Sequence, residues 1–222
     1  MKLIIGNKAY SSWSLRGWLA AKHSGVAFEE IVVPLYDEGW TERRTAADLA
    51  PSNGKVPILW DGDIAVWESL AIIDYLDEKT GGEQSFWPDD MAARALARSM
   101  AAEMHAGFVP LRQNHSMNLR KQYATAPLLP EVEADVARIT ALWAEARTQF
   151  GTGGDYLFGA WSEADMMFAP VVTRLLTYAI PLTDEAAAYC SAVISHPHMT
   201  EWHAAAQLEP WVIARFEGAR QP

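Results

Sequence analysis

The sequence predicts two units in tandem: a mixed α/β domain over residues 1–80 and an all-α helical domain over 91–222, joined by a linker at 81–90. Three observations carry this reading. Short apolar runs alternate with helix-period segments up to about residue 80. The stretch GGEQSFWPDD (81–90) interrupts that pattern. Beyond it strand signals nearly vanish, and Ala- and Met-rich helical periodicity takes over.

LIIGN (3–7) reads as a buried strand. A helix follows over 14–25, with Ser14 as its N-cap and Gly25 closing it. FEEIVVPL (28–35) is a second strand, stopped by Pro34, and after the looser YDEGW (36–40) TERRTAADLA reads as helical. VPILW and IAVW are short strands joined by the hairpin signal DGD (61–63). ESLAIIDYLDEKTGG (68–82) sets Leu70, Ile73 and Leu76 on one helix face and ends on glycines. A strand–helix–strand unit favours a parallel pair, and the later hairpin adds antiparallel strands. In the second unit, helices are expected over 91–108, 131–150 and 162–178, with shorter ones in the tail.

Half of the 222 residues are hydrophobic and 21% are charged, enough apolar material for a substantial core. The net charge is −10 and acids outnumber bases in both halves, which disfavours nucleic acid and anionic membrane as partners. No apolar run approaches the ~20 residues of a membrane span. The N-terminus carries no secretion-signal pattern, so a cytoplasmic location is expected. Cys190 is the only cysteine, which excludes an internal disulfide, a CxxC pair and a zinc–thiolate cluster. Six histidines without paired spacing, HPH at 196–198 among them, predict no metal site.

NGKVPILWDGDIAVWES (53–69) carries the most chemistry. Pro57 opens a strand, where proline is tolerated. A cis Val56–Pro57 bond would turn the N–H and C=O of Val56 outward, ready to pair with an extended peptide. Glu68-Ser69 then opens a helix whose first N–H groups favour a carboxylate, while Glu68 can accept from an ammonium. Upstream, YSSWS (10–14) crowds three hydroxyls at a strand–helix junction.

SSWS before the first helix, then KVP, then ES opening the third helix, resembles the thioredoxin-like half of a cytosolic glutathione S-transferase, of the bacterial serine type. FGAWSEADMMFAPVV (158–172) is similar to the G-x-x-[ST]-x-A-D element of that superfamily's helical domain. There Ser162 and Asp165 form a capping-box variant with a structural role. The resemblance implies glutathione as co-substrate and no metal. Its body would lie along Val56 and Pro57, its γ-glutamyl end at Glu68 and Ser69, with Trp40 and Lys55 completing the site. It also implies a symmetric homodimer.

A free thiol with a pKa of about 8.5 is mostly protonated at neutral pH, whereas the thiolate is the nucleophile. A hydroxyl donor or a helix N-terminus favours the charged form. Serine-type relatives imply Ser11 as the donor if Ser14 begins the helix, with Ser12 the alternative. Arg16 adds positive potential or forms a surface ion pair, and Tyr10 is expected to face away. A second-substrate pocket is expected from Trp13, Met104, His105, Phe108 and Arg112, with Trp40 nearby; plain core packing competes for Met104 and Phe108. The function implied is conjugation of the glutathione thiolate to a small hydrophobic electrophile. Two alternatives stand: a zeta-type (maleylacetoacetate isomerase) cis–trans isomerase, whose SSCS pattern SSWS approaches with Trp13 replacing the cysteine, and a non-catalytic binding or scaffold protein.

Overall fold

The structure is a computed structural model that describes residues 1–218. The first unit runs β1 (Lys2–Gly6), α1 (Ser12–His23), β2 (Glu29–Val33), α2 (Trp40–Arg43), β3 (Ile58–Asp61), β4 (Ile64–Trp67) and α3 (Ser69–Thr80). Its strands form one sheet in the order β2-β1-β3-β4. β1 and β2 are parallel, with Ile4 opposite Ile31, because the connection between them is a helix. β3 pairs antiparallel with β1 and with β4. Gly62, at φ +59°, supplies the left-handed residue of the β3–β4 turn. α1 and α3 pack side by side.

The second unit comprises α4 (Met91–Ala106), α5 (Val109–Asn114), α6 (Pro130–Phe150), α7 (Glu163–Thr177), α8 (Asp184–Ser195) and α9 (Pro197–Leu208). α7 is apolar nearly all round, and every residue in it except Leu176 is buried, the signature of a central helix. The Ser162/Asp165 capping box fixes its start. One Asp165 oxygen accepts the Ser162 N–H at 2.9 Å; the other accepts the Leu157 N–H at 3.1 Å and the Tyr189 hydroxyl at 3.0 Å. α7 also packs on α1, so one apolar core runs through both units, from Leu3 and Trp18 to Phe168 and Trp202. The connecting segment joins it: Phe86 is fully buried and its C=O accepts the Glu163 N–H at 2.9 Å.

Three elements differ from the sequence reading. The helix expected at TERRTAADLA shrinks to the four residues of α2, none of them buried. The segment has no apolar stripe to hold a longer helix, and turns closed by the Arg43–Asp48 ion pair at 2.7 Å follow it. The helix expected to reach residue 108 ends at Ala106, where Phe108 takes a left-handed conformation (φ 54°) and starts α5. Ser14 is not the N-cap of α1; that role belongs to Ser11, two residues before Trp13.

Candidate active site

Three serines fix the start of α1. Ser11 caps the helix, its Oγ accepting the Ser14 N–H at 3.4 Å and donating to Ser14 Oγ at 2.8 Å. Ser14 is turned inward, where its Oγ accepts the Gly6 N–H at 2.9 Å and pins the helix to β1. Ser12, the first helical residue, accepts from Arg174 Nη2 at 3.1 Å. Ser11 and Ser12 both line a cavity of about 460 Å³ between the two units.

Cations dominate its wall: Arg44 and Lys55 on one side, Arg112 and Arg174 on the other, with no acid among the lining residues. Burial, then repulsion from Arg112, pulls the Arg174 guanidinium down to about 10. Burial lowers Arg112 too, and its guanidinium lies 4.8 Å from the Trp13 ring centre. Arg16 departs from the sequence reading. It is neither on the surface nor on the cavity wall, but buried against α7, where its Nε donates to the Met167 C=O at 2.9 Å. Its guanidinium lies 4.7 Å from the Trp13 ring centre.

A second cavity of about 420 Å³ shares Trp13, Lys55 and Val56 with the first, which makes one continuous groove. The Val56–Pro57 peptide is cis, and Val56 lies outside the strands with neither N–H nor C=O bonded among the described residues. Gly17 makes this possible: a Cβ there would lie 2.9 Å from Pro57 Cγ, so only glycine lets α1 approach so closely. Glu68 and Ser69 line the far end. Glu68 sits at φ 69°, a strained conformation for a residue with a Cβ. His105 Nε2 is 3.7 Å from its carboxylate, but burial lowers the imidazole pKa and leaves the ring neutral near pH 7. The Glu68 charge thus remains available to an ammonium. The Ser69 hydroxyl rests 3.9 Å from Met167 Sδ, a weak acceptor that a carboxylate would displace.

Of the residues expected around the second substrate, Trp13, Arg112 and Trp40 line the first cavity and His105 the second. Met104 and Phe108 do not: both belong to the apolar core, Met104 on the face of α4 that packs on α7 and Phe108 at the turn into α5. Tyr10 borders the cavity, but its hydroxyl donates to Glu217 at 2.6 Å. Burial and that carboxylate push the phenol up to about 12. Arg174 and Phe216 escaped the sequence reading. The only hint of Arg174 was one charge inside an apolar helical run. Among the described residues no group of three or more His, Cys, Asp or Glu is placed to hold a metal, and no helix is long and apolar enough to cross a membrane.

Residues 10–79 match the glutathione S-transferase N-terminal domain family. A solved glutathione transferase homolog from Burkholderia GL BGR1, with bound glutathione, superimposes with a TM-score of 0.67 at 22% identity, covering 93% of this chain and 97% of that one. The first third of the chain thus matches a glutathione S-transferase N-terminal domain, and the chain as a whole has the fold of solved glutathione transferases. Among its relatives, dichloromethane dehalogenase of Methylorubrum extorquens is 41% identical over 70 residues, 32% of this chain and 24% of that protein. A probable maleylacetoacetate isomerase of Vibrio cholerae is 31% identical over 129 residues, 58% of this chain and 57% of that protein. These matches thus span about a quarter and just over half of those relatives' lengths.

Proposed function

We propose that this protein is a glutathione transferase that holds glutathione extended in the groove and adds its sulfur to a small electrophile. The observation that carries the reading is the continuity of the groove. It joins an ammonium-and-carboxylate end at Glu68 and Ser69, an unpaired peptide at Val56, and hydroxyls beside a cationic wall at Ser11 and Ser12. A tripeptide thiol offers groups complementary to each in that order. Lys55, with Trp40 beside it, suits the far carboxylate.

The chemistry is deprotonation of the thiol to solvent, stabilisation of the thiolate by a serine hydroxyl at the start of α1, and attack on the electrophilic carbon. Lowering the thiol pKa by two units needs roughly 2.7 kcal/mol of preference for the thiolate, and one charge-assisted hydrogen bond supplies about 1.5–3 kcal/mol. The electrophile would rest against Trp13 and Val109, with Arg112 at its edge. The Vibrio cholerae relative favours a second reading, in which the thiolate adds to a double bond, the bond rotates, and glutathione leaves unchanged. Glutathione consumption during turnover of a cis-dienoic acid separates the two. The reading carries with it a homodimer working in the cytoplasm, the first part of which analytical ultracentrifugation tests.

Calorimetry with glutathione tests the pose. Binding is expected for the intact protein and is expected to weaken at least tenfold in Glu68→Gln and in Ser69→Ala. Unchanged affinity in both variants would rule the pose out. Absence of binding to the intact protein would favour a scaffold that kept the fold without the chemistry.

A further inference from the structure

We infer that the electrophile taken by this protein is an anion, an aryl acid in chemical class, and that the free edge of the Arg112 guanidinium reads its carboxylate. The inference rests on the glutathione reading above and names the class of the second substrate, where the resemblance implied a plain hydrophobic one.

The chain as a whole is acidic, with 28 Asp and Glu against 18 Lys and Arg. The first cavity reverses that balance: Arg44, Lys55, Arg112 and Arg174 line it, and no acid does. Over the whole groove the one lining acid is Glu68, at the far end, where the ammonium of glutathione would take it. Glutathione brings one carboxylate for Ser69, one for Lys55, and a thiolate for the serine end. The cation on the opposite wall at Arg112 is left without a counter-charge. A half-buried guanidinium in that state is costly, and an anionic ligand relieves the cost.

Hydrogen bonding separates the two arginines of that wall. Every nitrogen of Arg174 already has an acceptor: Nε has the His115 C=O at 2.9 Å, Nη1 the Pro170 C=O at 3.0 Å and Nη2 the Ser12 Oγ at 3.1 Å. Arg112 is anchored by Nη1 alone, which donates to the Gly107 C=O at 3.1 Å and the His105 C=O at 3.3 Å. Both Nη1 protons are thus spent. Among the described residues its Nε and Nη2 have no acceptor, and it is in no ion pair. Neither nitrogen is sealed in the interior, so the edge is open to a ligand. The Nε–H and one Nη2–H point the same way, at the spacing of the two oxygens of a carboxylate. Burial lowers the pKa of this guanidinium with no carboxylate to oppose it. The Trp13 ring, its centre 4.8 Å from the guanidinium, sits where the two cavities meet and offers a flat apolar bed for the body of the same molecule.

The probe is para-chloro-meta-nitrobenzoate, with its methyl ester as the neutral match. In the reaction the glutathione sulfur bonds to the ring carbon that bears chlorine. The carbon–chlorine bond breaks with its electron pair, chloride leaves, the thiol proton goes to water, and the carboxylate is untouched. Each kcat/KM is divided by the rate constant of the same compound with free glutathione, which removes the difference in intrinsic reactivity. The intact protein is expected to favour the acid about tenfold or more, the worth of a hydrogen bond between charged groups. Arg112→Met is expected to collapse that ratio toward unity, and Arg112→Lys, a charge without the fork, to keep part of it. The inference is overturned if the intact protein favours the ester, or if Arg112→Met lowers acid and ester alike. It is also overturned if Arg112→Met weakens glutathione binding as much as it lowers turnover of the acid, which would assign the arginine to glutathione. Should neither compound turn over, or Arg112→Met fail to fold, calorimetry of the intact protein with meta-nitrobenzoate and meta-nitrobenzamide decides. Tighter binding of the acid, by about tenfold or more, is expected there; equal affinities, or no binding of either, overturn the inference. That measurement needs no glutathione: a protein that binds the acid but not glutathione refutes the glutathione reading and leaves the Arg112 site standing.

Discussion

Gly17→Ala places a methyl group 2.9 Å from Pro57 Cγ and 3.1 Å from Pro57 Cβ. Non-bonded carbons settle at about 3.5–4.0 Å, so α1 and the Val56–Pro57 turn must separate by roughly 0.5–1 Å. Neither side yields by a rotamer change, since proline is a ring and α1 is held by Ser14 to β1. Overpacking of this kind costs about 1–3 kcal/mol. Replacing a mid-helix glycine by alanine returns about 1 kcal/mol. The net loss of stability is therefore small, about 0–2 kcal/mol. The groove suffers more, because Ser12 and Val56 lie on the two elements being pushed apart. A misplacement near 1 Å can cost up to about a hundredfold where geometry governs a site. A tenfold or greater loss of glutathione affinity is expected by calorimetry, while urea unfolding followed by tryptophan fluorescence changes little. Wild-type affinity in Gly17→Ala would refute the claim that this contact sets the groove.

Tyr10→Phe removes the hydroxyl bonded to Glu217 and is expected to lower stability without moving the thiolate midpoint; a shifted midpoint would give Tyr10 a place in the chemistry. Cys190 is buried and its thiol is pushed up to about 12, so an aromatic disulfide reagent should label it only in denaturant. Labelling at native pH within minutes would contradict that burial. His196, its ring centre 3.9 Å from that of Trp161, is lowered to about 4 from 6.5 by burial and then by His198 and His23. Its folded-state pKa lies below the unfolded value, so the unfolded chain takes the proton first. Its contribution to stability is present above about 6.5 and lost as pH falls toward about 4. His196→Phe, which keeps the stack, should flatten acid unfolding in that window; an unchanged slope would refute the assignment.

What the sequence revealed was mostly local. The Asp61–Asp63 hairpin, the strand-initial Pro57 and the Ser162/Asp165 cap each depend on a few neighbouring residues, and all appear in the structure. The three serines show the limit. Each is a good N-cap by residue type, and the choice among them is made by Gly6, whose N–H claims Ser14 from another element. Met104 and Phe108 are spaced i, i+4 as if on one helix face, a pattern that suits ligand or core alike, but α4 ends at Ala106 and both side chains reach the core from different segments. Arg174 meets Ser12 across 162 residues, beyond any periodicity.

The joint between α1 and α7 also bears on how such a protein can change. The segment that matches a family ends at residue 79, yet Arg16 finds its acceptor on Met167 and Ser12 finds its cation on Arg174. A fragment ending near 80 would bare an apolar helix face and strand a guanidinium in it. A graft of another helical half would need to bring its own carbonyl and its own arginine to the same two spots. Substitutions at the rim, at residues such as Val109 and Phe216, would leave that joint untouched.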